Sequence, residues 1–295
     1  MTDIELIEKI LASKKPSDIF PDDWKKDYLR YSKMIYPDFC KHPKASDAMA
    51  KINHYKDLIE NGTIYTDEAG EFRVFEKKIE YQITDTNRTI LRWSYENYRK
   101  LKSKTDEASL KFHRYLPEDM IMNNDKLTIV LKDRAVPLSN NQLEQIHVNW
   151  IFSRMFEFSM WMQQIGMVHM GLNPTTVFVV PETHGIIVVS FYHMCPIGKK
   201  AETISAKYKT WYPTTLFSKK IATSDIDLEL CKKIAIYLLG DRSAAGTKLK
   251  MDKKNINQDV LTFLLTKHEN SIEIYKKYRD LLAKHFERKF YPFSL

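Results

Sequence analysis

Val168-His169-Met170-Gly171-Leu172-Asn173-Pro174-Thr175-Thr176-Val177-Phe178 is followed by Ile187-Val188-Val189-Ser190-Phe191-Tyr192. Two apolar runs, about Val177–Val180 and Ile186–Ser190, read as short strands joined through Pro181 to Gly185. The turn before them and the residues at the end of the second run are of two kinds. His169, Leu172, Pro174 and Phe191 are side chains that pack. Gly171, Thr176 and Ser190 are small and neutral. Upstream, Val148, Ile151, Phe152, Met155, Phe158, Met162 and Ile165 mark a long amphipathic helix stopped by Gly166.

This stretch resembles the catalytic loop and metal-binding turn of a protein kinase, which reads H-R-D-L-x-x-x-N and, two strands later, D-F-G. Gly171 stands at the base aspartate, Thr176 at the metal-binding asparagine, and Ser190 at the D-F-G aspartate. Glycine cannot accept a substrate proton, and neither hydroxyl brings the anionic oxygen that Mg²⁺ favours. The resemblance spans roughly residues 64–290. Tyr212-Pro213-Thr214 falls where kinases carry A-P-E, with Pro213 kept and Thr214 replacing the glutamate. Ser224-Asp225-Ile226-Asp227-Leu228 resembles the start of the central helix, and the resemblance implies that Asp225 hydrogen-bonds the catalytic-loop backbone. Thr89-Ile90-Leu91-Arg92 is matched to V-A-I-K, which puts Arg92 in the place of the phosphate-binding lysine, with Glu96 or Glu107 as its helical partner. No G-x-G-x-x-G lies near Glu71 to Thr89 to cradle a triphosphate.

The first sixty residues have a different character. Ile4, Ile7 and Leu11 share one helical face. Trp24, Tyr28, Tyr31 and Ile35 define a second helix, and Ala48, Ile52, Tyr55 and Ile59 a third, ended by Asn61-Gly62. A polar loop, Tyr36 to Ala45, lets the last two lie antiparallel. The layout resembles a J-domain, the module that engages DnaK-type chaperones: Lys25, Lys26, Arg30 and Lys33 make the second helix basic, and Tyr36-Pro37-Asp38 stands where J-domains carry H-P-D. The family's histidine, on which stimulation of the chaperone depends, is Tyr36 here.

Bulk composition fits a folded chain. There are 295 residues, 43% of them hydrophobic and 12% aromatic, with no apolar run long enough to span a membrane. Three scattered cysteines (Cys40, Cys195, Cys231) form no disulfide framework, which indicates a reducing, cytoplasmic setting. The formal charge of +8 lies wholly beyond residue 62, because residues 1–62 hold eleven Lys and Arg against eleven Asp and Glu. Lys248–Lys254 and Lys276–Lys289 are its densest parts. They suit an acidic partner, or nucleic acid as an alternative, although interleaved aromatic residues for base stacking are missing. His184, His193 and Cys195 match no zinc spacing, so no metal is expected.

The expectation is therefore an α+β chain: a J-like three-helix module over 1–62, then a bilobal kinase-like fold over 63–295, with a small β-rich lobe to about 131 and a helical lobe from about 137. Thr89 to Trp93 is expected as a strand. The functional expectation is a pseudokinase, a non-catalytic interaction protein with a protein partner, such as a chaperone or kinase. A nucleotide-dependent transferase using the same cleft is the alternative, with metal-free ATP contacted by Arg92.

Overall fold

The computed structural model describes residues 1–291. Its first unit is three helices, α1 (Asp3–Ala12), α2 (Trp24–Ile35) and α3 (Ala45–Asn61). A capping box starts α1: the Thr2 hydroxyl accepts from the Glu5 amide, and the Glu5 carboxylate accepts from the Thr2 amide. The apolar stripes of all three close on one core, including Leu6, Ile10, Tyr31, Ile35, Ala48 and Ile52. Gly62 ends α3 at φ +64, and a Cβ there would lie 2.9 Å from the Val74 carbonyl oxygen. Only glycine fits a left-handed turn with backbone that close. The chain then enters a sheet.

That sheet is antiparallel and has five strands: β1 (Thr63–Asp67), β2 (Gly70–Val74), β3 (Lys78–Gln82), β4 (Asp119–Met122) and β5 (Lys126–Val130), ordered β1-β2-β3-β5-β4. The segment from Glu71 to Tyr81 is two strands, β2 and β3, rather than one, because the chain reverses at Phe75, whose amide donates to the Lys78 carbonyl. Cross-strand register aligns Tyr65, Phe72, Tyr81 and Leu127 in one row. Their rings stack, at 5.8 Å for Tyr65–Phe72 and 5.0 Å for Phe72–Tyr81.

Between β3 and β4 run α4 (Arg88–Lys102) and a short α5 (Glu107–Leu110). The strand expected over Thr89–Trp93 is the first part of α4 instead. Its β-branched and aromatic residues favour strand locally, but Leu91, Ser94, Tyr98 and Leu101 line one helical face that buries against the sheet and the lower lobe. Tertiary burial outweighs a weak local preference.

The lower lobe is built on β6 (Val136–Pro137), α6 (Gln145–Gln164), β7 (Met167–Val168), β8 (Val177–Val180), β9 (Gly185–Val188), β10 (Cys195–Pro196), α7 (Thr214–Lys219), α8 (Asp225–Leu238), α9 (Thr247–Met251), α10 (Gln258–Leu265) and α11 (Ile272–His285). Helix α6 is buried nearly all round. Phe156 and Trp161 are core residues, and the Trp161 ring stacks on Phe112 at 5.6 Å. The chain thus has a small sheet lobe above a helical lobe, with one continuous core through both. The N-terminal helices keep a core of their own and touch the sheet lobe at its edge. There the Ser17 hydroxyl donates to Glu76 at 2.5 Å, and the Arg73 guanidinium donates to the Asn61 carbonyl at 3.1 Å. Among the described residues no helix is long and apolar enough to cross a membrane.

Phe72 joins the lobes, because its ring also meets Phe178 of β8 at 6.5 Å. It is 1% exposed. Phe72→Ala should lower the unfolding free energy by about 3–5 kcal/mol in urea titration.

Candidate functional site: a closed interlobe cleft

The loop after β7 is held from beneath by one carboxylate. Asp227, in the first turn of α8, accepts from the His169 amide at 2.7 Å and from the Met170 amide at 2.8 Å. It is buried, which pushes its pKa up to about 7 against the pull of the two amides. Met170 sits at φ +58, a strained setting for a side chain that is itself buried. The Tyr212 hydroxyl locks the same residue by donating to the Met170 carbonyl at 2.5 Å. The sequence reading gave the anchoring role to Asp225. That residue is half-buried and begins the helix two positions too early to reach the loop, so the role belongs to Asp227. Pro213 is half-buried and caps α7.

His169 is a packing residue with a fixed tautomer. Its Nδ1 accepts from the Gly171 amide at 3.1 Å, so its Nε2 carries the proton and donates to the Ser190 carbonyl at 2.7 Å. Burial pushes its pKa down to about 3. Its ring meets Phe191 edge-on at 5.5 Å. Leu172 and Pro174 are buried beneath the same turn. Asn173 ties the turn to itself: its Oδ1 accepts from the Thr175 amide and hydroxyl, and its Nδ2 donates to the Gly171 carbonyl. The Thr176 hydroxyl also donates to that carbonyl, at 2.9 Å, and accepts from the Asn173 amide. Thr176 therefore directs its oxygen inward, into the loop.

Gly171 has a definite neighbour. A Cβ on it would lie 2.9 Å from Cδ2 of His193, so an imidazole occupies the space where a longer side chain would project. His193 is held there from both sides, with Nδ1 2.9 Å from the Thr203 hydroxyl and Nε2 2.5 Å from Glu68.

Glu68 belongs to the β1–β2 turn, which bends down onto the lower lobe. Beside it, Asp67 accepts from the Tyr81 hydroxyl at 2.7 Å and from the Tyr192 hydroxyl, while its other oxygen accepts from the Ala69 amide. Burial raises the Asp67 pKa against these donors. Burial and then the Asp67 charge raise both phenols well above their ordinary range, so they keep their protons and act as donors. For Glu68, burial is outweighed by His193 and Ser205, and its carboxyl stays below the usual range. Four of these groups, Asp67, Glu68, Tyr81 and Tyr192, carry no role in the sequence analysis. The period-2 alternation of β3 is the signal that could have found Tyr81, because it faces inward with Ile79.

Helix α4 closes the back of the site. The Ser94 hydroxyl accepts from the Phe191 amide at 2.9 Å, and Asn97 donates to the Phe191 carbonyl at 2.9 Å. The inward face of α4 thus presents an alcohol and an amide. Arg92 and Glu96 lie on its exposed face, and Glu107 is exposed on α5. Arg92 is therefore not at the cleft, because the segment that carries it is helix and not the expected strand. The residue of β3 whose polar tip enters the cleft is Tyr81. At the opposite end the seam opens into a cavity of about 480 Å³, bounded by Tyr65, Val74, Arg134 and Pro137 with Leu58 and Ile59 of α3.

The remaining residues singled out in the sequence are scattered. Lys25, Lys26, Arg30 and Lys33 lie exposed on α2, and Tyr36, Pro37 and Asp38 are exposed at its end. His184 stacks on His147 at 5.1 Å, apart from His193. Among the described residues no group of three or more His, Cys, Asp or Glu is placed to hold a metal ion.

Two outcomes check this geometry. An unfolded histidine takes up its proton near pH 6.5, whereas folded His169 does so only near pH 3. Between those values the unfolded state binds more protons, so His169 lowers stability as pH falls, by up to about 1.4 kcal/mol per unit. His169→Gln should lack this slope between pH 6 and 4.5 in urea titrations. The Asp227 effect has the opposite sign, is common to both proteins and cancels in the comparison. Second, Gly171→Ala and Gly171→Asp should each cost about 1–3 kcal/mol, because the new Cβ must move the His193 ring. An unchanged midpoint would show that the ring yields freely.

No protein-family model matches the chain, and no curated protein matches it by sequence. Its fold, however, is similar to a solved one. The structure of vaccinia related kinase 3 superposes with a TM-score of 0.51 at 10% sequence identity, covering 79% of this chain and 95% of that one. At that identity the likeness concerns the fold alone. The chain has a protein kinase-like fold.

Proposed function

We propose that the protein is a pseudokinase: a kinase-like body that transfers no phosphoryl group and works by binding protein partners. The observation that carries this reading is the closure of the cleft by Asp67, Tyr81 and Tyr192, with Glu68 and His193 beside them. Phosphoryl transfer needs a cation on the phosphates, anionic ligands for Mg²⁺ and a base. At those places this chain brings the phenol of Tyr81, the hydroxyls of Thr176 and Ser190, and Gly171. Admitting a triphosphate would separate Asp67 from both phenols and set two carboxylates against an anion. Breaking such a buried network costs several kcal/mol before any contact is gained. The transferase alternative loses its main support, because Arg92 faces solvent on α4.

In this reading the N-terminal unit is the J-like module. Helices α2 and α3 flank the loop that carries Tyr36-Pro37-Asp38, and the four basic side chains are exposed along the length of α2 that leads into it. Tyr36 and Phe39 are 44% and 83% exposed, and their rings lie 6.0 Å apart. A DnaK-type chaperone is the partner this arrangement favours, docked through the basic face of α2. Tyr36 in place of histidine supports docking without stimulation of its ATPase.

The test is thermal unfolding of the full chain with millimolar ATP, with and without Mg²⁺. Ligand that binds only the folded state must raise the midpoint, by about 2.7 kcal/mol of stability at a hundredfold excess over Kd. We expect no shift in either condition, and none in Arg92→Ala. A magnesium-dependent rise would overturn the reading.

A further inference from the structure

The segment between β10 and α8 carries a one-sided charge that the cleft does not use. From Cys195 to Ser224 there are six lysines, Lys199, Lys200, Lys207, Lys209, Lys219 and Lys220, and a single acid, Glu202. All six lysines are exposed. Among the described residues none of them forms an ion pair. The fold gathers four of them together. Lys200 bridges Ile221 in antiparallel register, the Ala201 amide donates to the Lys220 carbonyl at 2.8 Å, and the Ala222 amide donates to the Lys199 carbonyl at 2.9 Å. Two lysine pairs distant in sequence therefore share one short ribbon. Their mutual repulsion has no internal relief.

Beside the ribbon, a groove of about 480 Å³ runs between residues 200–204 and α7. Ile204, Leu216 and Phe217 supply its apolar lining, and its charged lining is two lysines, Lys200 and Lys220, against one acid, Glu202. Phe217 is 39% exposed and Ile221 37%. Apolar groups at the centre of a charged rim are the anatomy of a protein interface.

We propose that this groove docks an acidic protein segment bearing one bulky apolar side chain. The apolar residue seats among Ile204, Leu216 and Phe217, and its flanking carboxylates face Lys199, Lys200, Lys219 and Lys220. Charge complementarity selects the sign of the partner, and the apolar lining selects a peptide over a nucleic acid. A surface that tracks a phosphate backbone sets successive aromatic faces along its basic groove for bases to stack on; here Phe217 is the exposed ring of the segment, and Tyr208, Trp211 and Tyr212 are buried. The inference rests on the protein-binding reading of the chain, but the two fail separately: nucleotide binding bears on the cleft, and peptide binding bears on this groove.

The experiment is fluorescence anisotropy of the full chain with a labelled twelve-residue peptide of alternating Asp and Glu around one central leucine. The same peptide with glycine at the centre and a single-stranded oligonucleotide of equal length are the comparison probes. The expected result is saturable binding of the leucine peptide that weakens as salt rises. Affinity should fall about tenfold or more with the glycine peptide or in Phe217→Ala, and also about tenfold or more in Lys200→Glu/Lys220→Glu. The two lysines are exposed, so that double variant should keep the thermal midpoint of the parent. No binding of the leucine peptide at millimolar protein, equal affinity for the glycine peptide, or an unchanged affinity in Lys200→Glu/Lys220→Glu would each overturn the proposal. So would tighter binding of the oligonucleotide that displaces the peptide.

Discussion

Asp227 holds two consecutive backbone amides, those of His169 and Met170, from a position with no access to water. Those two bonds fix a left-handed residue in the loop, and everything above the loop inherits its position from them. His169 then presents Nε2 to the Ser190 carbonyl, Ser190 leads into Phe191, and Phe191 is gripped through its own backbone by Ser94 and Asn97. A single chain of hydrogen bonds thus runs from α8 in the lower lobe to α4 beside the sheet. Removing one partner of such a buried charge leaves the rest uncompensated, which is the costly way to break it.

Onto this frame the β1–β2 turn is fastened by residues far away in sequence. Asp67 and Tyr192 are 125 positions apart, as are Glu68 and His193. The turn has no glycine-rich loop to hover over a ligand. Instead its two carboxylates reach into the seam, where Asp67 accepts from Tyr81 and Tyr192 and one oxygen of Glu68 meets His193. The Tyr65–Phe72–Tyr81 stack continues the filling with aromatic carbon, and Phe178 meets it from below. The space between the lobes is occupied by the protein itself where these rings meet, and it widens where α3 approaches the sheet.

Local features of this arrangement were legible in the sequence, and long-range ones were not. The loop from His169 to Phe191 could be read because its packing residues remain at fixed spacing, and packing is what such a motif records. The long helix before it announced itself by its period. Thr89–Trp93 reads as a strand from its composition, and only burial of Leu91, Ser94 and Tyr98 on one face settles it as part of helix α4. Asp225 and Asp227 stand two apart at a helix start, and local sequence does not say which of them turns inward. The Asp67–Tyr192 and Glu68–His193 contacts leave no local trace, since each half is an ordinary polar residue until the fold brings them together.

The close fit of His193 against Gly171 bears on how this sequence can change over time. A carboxylate introduced at 171 meets the imidazole. Moving the imidazole strands Glu68 and Thr203, and freeing Glu68 loosens the turn that also carries Asp67. Each position is buried or nearly so, and each is supported by the next. A single substitution that adds a side chain at 171 therefore strains a linked set of contacts rather than one. The glycine and the ring are thus one unit of packing, and neither can be changed without the other.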